Sequence, residues 1–154
     1  MHVADQDADL LSELRALLAG EPDYLANAAN LSALIMARMN RLNWVGFYFL
    51  RGDSLVLGPF QGLPACTRIA VGRGVCGTAF QRNETLVVQD VHAFPGHIVC
   101  DTASRSEIVV PFNTQAGVAG VLDVDSPVLA RFGAEERAVL EAAVTLYVDA
   151  CAAT

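Results

Sequence analysis

At 154 residues, 53% of them hydrophobic, the chain has the length for one domain whose core needs neither disulfides nor metals to stand. Its net charge is -7 and all ten basic residues are Arg, so no basic stripe is available to attract a phosphate backbone, and a nucleic-acid binder is excluded. Apolar runs such as Ile108 to Val110 fall far short of the roughly 20 residues of a membrane helix, and the start, MHVADQDADLLSEL, carries acids where a signal peptide carries basic residues. A cytoplasmic protein is expected.

In chain order, Leu10, Leu11, Leu14, Leu17 and Leu18 recur at helical spacing over residues 8 to 19, and Gly20 ends the run. A second helix is predicted from Glu21 and Pro22 through Leu25, Ala28, Leu31, Leu34, Ile35 and Met39. The pattern then changes to aromatic and β-branched residues: NWVGFYFL, a turn at Arg51 to Asp53, and SLVLGPF read as a hairpin. Residues 61 to 104 are broken by Gly and Pro into a strand near Cys66 to Ala70, a short helix near Val75 to Gln81, a strand at Thr85 to Val88 and a long loop of the kind that carries sites. SEIVVPF, a turn near Gln115 to Gly117 and GVLDVDS form a last hairpin. A closing helix over Ala134 to Ala150 turns Leu140, Val144 and Val148 inward. These elements predict an α+β fold, a meandering antiparallel sheet packed with N-terminal and C-terminal helices, spanning 1 to 154 as a single domain.

Three cysteines, Cys66, Cys76 and Cys100, lie in the irregular central stretch beside Gly, Pro or polar residues rather than inside a periodic apolar run. A single free Cys is as often a small core side chain as a reactive one; three together in a reducing compartment favour thiol redox chemistry. Arg105 and His97 are candidates to favour a thiolate at Cys100. Cys151 receives no role. A metal site from Cys66, Cys76, Cys100, His92 and His97 lacks the close cysteine pairs of zinc sites, so no metal is expected.

In LDVDS, Asp123 and Asp125 are two apart, which on a strand sets both carboxylates on one face and Leu122 and Val124 on the other. A solvated face is the bland reading. Against it, no basic residue follows until Arg131, and together with Glu107 the acids would raise one another's proton affinity until one stays protonated. Ser104 and Glu107 also fit a capping box, but the β-branched run after Glu107 favours a strand. Trp44, Gly46 and Tyr48 alternate onto one strand face, with Gly46 clearing room between two rings. Most aromatics are core; a binding wall is the alternative.

With these segments on the page, the chain resembles the free methionine-(R)-sulfoxide reductases, a family built on a single GAF domain. The match runs through NWVGFYFL (43 to 50), LGPFQG (57 to 62), PAC (64 to 66), GRGVCGTA (72 to 79), QDVHAFPGHIVCD (89 to 101), SEIVVP (106 to 111) and GVLDVDS (120 to 126). Leu63 departs from the Lys usual in the family. The resemblance implies that Cys100 is the nucleophile toward the sulfoxide sulfur and that Cys66 and Cys76 resolve the sulfenic acid, Cys66 being preferred. It implies Glu107, Asp123 and Asp125 as substrate-binding acids and Trp44 and Tyr48 as the wall around the substrate methyl group. The expected activity is reduction of free L-methionine-(R)-sulfoxide without a bound cofactor, recycled by thioredoxin with electrons ultimately from NADPH. A small-ligand sensing module of the same fold is the rival, disfavoured by the absence of a linker or output domain in the sequence. The oligomeric state stays open, a homodimer included.

Overall fold

The computed structural model describes residues 3 to 98 and 102 to 151. Two helices open the chain, α1 (Val3–Leu18) and α2 (Tyr24–Arg38), followed by strands β1 (Trp44–Arg51), β2 (Ser54–Gln61) and β3 (Arg68–Ala70). Helix α3 (Gly74–Arg82), strand β4 (Leu86–Val88) and a single 3-10 turn (Val91–Ala93) fill the irregular centre. Strands β5 (Ser106–Asn113) and β6 (Ala119–Ser126) and helix α4 (Ala134–Cys151) complete the fold. No helix among the described residues is long and apolar enough to cross a membrane.

Helix α2 starts two to three residues later than the sequence predicts, because Asp23 is its cap. The Asp23 carboxylate accepts from the N–H groups of Leu25 and Ala26 at 3.0 and 2.9 Å, satisfying donors that the first turn leaves without intrahelical partners. Leu17 and Leu25, both part of the helical apolar spacing, are nonetheless each 43% exposed. The strand expected from Cys66 begins only at Arg68.

All six strands pair antiparallel in the order β3-β2-β1-β6-β5-β4. This is not a plain meander: two three-strand halves, each with its own hairpin, are zipped together by β1 against β6, elements far apart in sequence. The β1–β2 loop is the two-residue turn Gly52–Asp53, with Gly52 at φ 66, where a side chain would be strained.

Period-two alternation divides the chemistry of the two sheet faces. Phe47, Phe49, Ile108, Val110, Phe112, Leu122 and Val124 point toward α1, α2 and α4 and form the main core with Leu14, Leu31, Ile35, Leu140 and Tyr147. The opposite face carries Trp44, Tyr48, Val109 and Val121 under α3, whose Val75, Cys76 and Ala79 close a second, smaller cluster with Leu55 and Ile69. Helix α3 ends where Asn83 turns left-handed at φ 52 and its N–H reaches the carbonyls of Ala79 and Phe80. Gly77 lets this helix sit close, since a Cβ there would run into the Ala70 carbonyl.

Candidate functional site

Strands β1, β5 and β6 build the floor of the site. Register places Trp44 opposite Asp125 and Gly46 opposite Asp123, and on the other side of β6 sets Glu107 opposite Asp125 and Val109 opposite Asp123. Thus three acids from two strands and the ring of Trp44 share one small area of the sheet's second face. They are not a solvated face: Glu107, Asp123 and Asp125 are 7, 6 and 8% exposed. Helix α3 adds Cys76 above them, and the Cys76 sulfur and single oxygens of Glu107 and Asp123 all lie within 4.8 Å of one another. The cavity they enclose measures about 40 Å³ and is also lined by Tyr48, Ile69, His97, Ile98 and Ser104.

Like charges facing each other across antiparallel strands repel, and burial weakens the screening that water gives an exposed pair. Burial, then the charges of Asp125 and Glu107, holds the Asp123 carboxyl well above the usual carboxylate range, so it keeps its proton. Asp123 Oδ1 is buried with no hydrogen-bond partner among the described residues. Cys76 stands in the first turn of α3, where a helix dipole ordinarily favours a thiolate. Here the opposing effects are larger: complete burial and the three acids push its thiol well up, so Cys76 is a neutral S–H.

The aromatic wall is tied to the cysteine-bearing segment. Trp44 Nε1 donates to the Leu63 carbonyl at 3.1 Å and the Tyr48 hydroxyl to the Cys66 carbonyl at 2.8 Å. Both polar ends of the rings are thereby used, leaving their faces for apolar contact. Trp44 stacks with Tyr48 at 6.0 Å between centroids and with Phe60 at 5.2 Å. Gly46 does clear the space: a Cβ there would stand 2.6 Å from Trp44 Cη2 and closer still to Phe60 Cβ.

Of the residues singled out from sequence, Trp44, Tyr48, Cys76, Glu107, Asp123 and Asp125 therefore meet around one cavity. Cys66 is disulfide-bonded, and Cys76 and Cys151 are free. Cys100 lies outside the described residues. Arg105 is exposed, so of the two basic groups considered as thiolate partners only His97 lines the cavity; His92, weighed only as a metal ligand, does not line it and its ring nitrogen stands 3.5 Å from Asp90. Leu63 is 64% exposed and contributes its carbonyl, so the departure from Lys falls on a surface side chain. Among the described residues, the donor cluster that could hold a metal is Cys76, Glu107 and Asp123; it shares only Cys76 with the cysteine and histidine set weighed from sequence, of which Cys100 lies outside the described residues. Phe60 and Ile98 went unmarked; Phe60 sits in an alternating strand beside Trp44's partners and could have been found by pairing the two halves of the first hairpin.

An antiparallel sheet with a hollow under one short helix on one face and helices packed on the other is the architecture of a GAF domain, and the GAF domain model matches residues 10–148. The chain is 56% identical over 129 residues to the free methionine-R-sulfoxide reductase of Escherichia coli, covering 84% of this chain and 78% of that protein. It is 44% identical to the enzyme of the same name from Saccharomyces cerevisiae, over 75% of this chain and 69% of that one. The free methionine-R-sulfoxide reductase of Neisseria meningitidis, solved with its substrate, superposes with a TM-score of 0.92 at 41% identity, covering 98% of this chain and 91% of that one. The chain belongs to the free methionine-R-sulfoxide reductase family.

Proposed function

We propose that this one-domain chain is an oxidoreductase that reduces free L-methionine-(R)-sulfoxide to L-methionine, Cys100 being the nucleophile. The Cys100 thiolate attacks the sulfoxide sulfur while a neutral carboxyl protonates the oxygen, because the S–O bond breaks easily only once its oxygen is no longer an unprotonated leaving group. The sulfur–sulfur bond made in the attack and the S–O bond of the substrate then break as the protonated oxygen passes to the Cys100 sulfur, leaving Cys100 as sulfenic acid and the substrate as the two-electron-reduced thioether. A second thiol then attacks the sulfenic sulfur, forming a disulfide and releasing water. Thioredoxin's dithiol reduces that disulfide and becomes oxidised in turn, its electrons coming ultimately from NADPH.

Asp123 is the proton donor in this scheme, since burial and two acidic neighbours keep its proton in place. Glu107 and Asp125, opposite each other across β5 and β6, hold the substrate ammonium. Trp44 and Tyr48 present ring faces to the methyl end. Cys66 is the resolving thiol, a reading supported by its being disulfide-bonded while Cys76 and Cys151 are free. The observation that carries the proposal is the convergence of three buried acids and an aromatic wall on one hollow beside the Cys66 segment.

NADPH oxidation is followed with thioredoxin, thioredoxin reductase and either epimer of free methionine sulfoxide. Turnover of the R form and not the S form is expected. Saturable binding of the sulfoxide without any methionine formed would make the chain a sensing module instead.

A further inference from the structure

The geometry points to a second class of ligand in the same cavity: a thiophilic divalent cation of the Zn2+ type, held by Cys76 Sγ, Glu107 and Asp123 in competition with the amino acid. One sulfur and two carboxylate oxygens lie within 4.8 Å of one another, and all three side chains are buried. In a tetrahedral site with Zn–S about 2.3 Å and Zn–O about 2.0 Å, donors stand about 3.5 Å apart, so side chains on three elements need to close by about 1 Å. Three protein ligands and one open position is the arrangement in which zinc retains a water or a substrate.

Two further observations favour an ion. Asp123 Oδ1 is buried in this cavity without a hydrogen-bond partner among the described residues, a cost that coordination removes. The cavity, at about 40 Å³, has room for an ion with bound water, since about 10–15 Å³ of such space suffices for one water molecule. Thiolate with two carboxylates also selects among cations, because the sulfur favours Zn2+ or Co2+ over Mg2+ and Ca2+. On binding, the thiol S–H and the Asp123 O–H are replaced by bonds to the metal and both protons pass to water. The cation-binding part stands on this geometry alone. The competition part rests on the reductase reading.

The test uses the full chain with the Cys66 disulfide intact, so that Cys76 is the thiol under examination. Titration with Co2+ is expected to give a thiolate-to-cobalt charge-transfer band saturating at one equivalent, erased by Zn2+ and by excess free methionine. Cys76→Ser should abolish the band, and Asp123→Asn should weaken binding by more than about 100-fold, beyond what loss of an outer-shell partner gives. Cys151→Ala should leave it unchanged. No band with wild-type protein, a band kept in Cys76→Ser, or a band lost in Cys151→Ala would overturn the cation site. Simultaneous binding of Co2+ and methionine would overturn the competition. A chain that shows the band but reduces no sulfoxide removes the reductase reading and leaves the cation site standing.

Discussion

Gly46→Ala is the sharpest test of how the sheet shapes the aromatic wall. Residue 46 is paired with Phe60 on one side and Asp123 on the other, and the pairing with β2 shifts register between Gly46 and Tyr48. A methyl group there would meet Phe60 Cβ, which cannot move without its backbone, and Trp44 Cη2 at 2.6 Å. Ordinary contact begins near 3.5 Å, so the indole must retreat by about 0.9 Å or β1 and β2 must part. Overpacking of this kind costs about 1–3 kcal/mol, which for a domain of this size lowers Tm by roughly 2–12 °C. Because the displaced ring is the wall of the cavity, the loss should also appear in KM for the free sulfoxide. The measurements are a thermal melt and steady-state kinetics on the same preparation. A variant with wild-type Tm and wild-type KM would refute the reasoning, since no slack exists in these positions to absorb a methyl group unseen.

Asp123→Asn should stabilise the protein increasingly as pH rises. Folding raises the proton affinity of this carboxyl, so the wild type loses stability as pH climbs past the unfolded value near 4, a loss the amide does not suffer. Melts of the pair should coincide near pH 3 and diverge upward, while activity of the variant falls; a gap that is constant with pH counts against a buried proton. Cys100→Ser should form no methionine in a single turnover, whereas Cys66→Ser should complete one turnover and then stall with thioredoxin. Quantifying methionine per chain separates the two, and wild-type yield from Cys100→Ser removes it as nucleophile. Finally, N-acetylmethionine sulfoxide should have a kcat/KM at least about tenfold below that of the free amino acid, because loss of the ammonium leaves a buried carboxylate unpaired. Equal values would show that the acids do not read the ammonium.

The faces of the sheet were legible because strands announce them with a period of two. Asp123 and Asp125 alternate with Leu122 and Val124, and Trp44 and Tyr48 with Val45 and Phe47, so each set could be placed before any contact was known. What the pattern could not supply was the neighbour of each strand. The pairing of β1 with β6 joins residues some eighty apart, and nothing local to either segment records it. The same distance hides the grouping of Cys76 with Glu107 and Asp123, which exists only because α3 crosses over β5 and β6. Three-residue strands such as β3 and β4 are too short to show periodicity, which is why the predicted boundary near Cys66 slipped.

The alternation along β6 has a consequence for folding fidelity. Sliding this strand by one residue against β1 would turn Asp123 and Asp125 into the layer occupied by Phe47, Ile108 and Leu140, and send Leu122 and Val124 into the hollow under α3. Two carboxyl groups forced into that hydrocarbon, with no basic residue beside them, make the slipped pairing far less stable than a slip of a wholly apolar strand would be. The acids proposed to read a substrate thus also make the central pairing of the sheet unambiguous. Variants that neutralise both at once would be expected to refold with a heterogeneous population even where the native state itself gains stability.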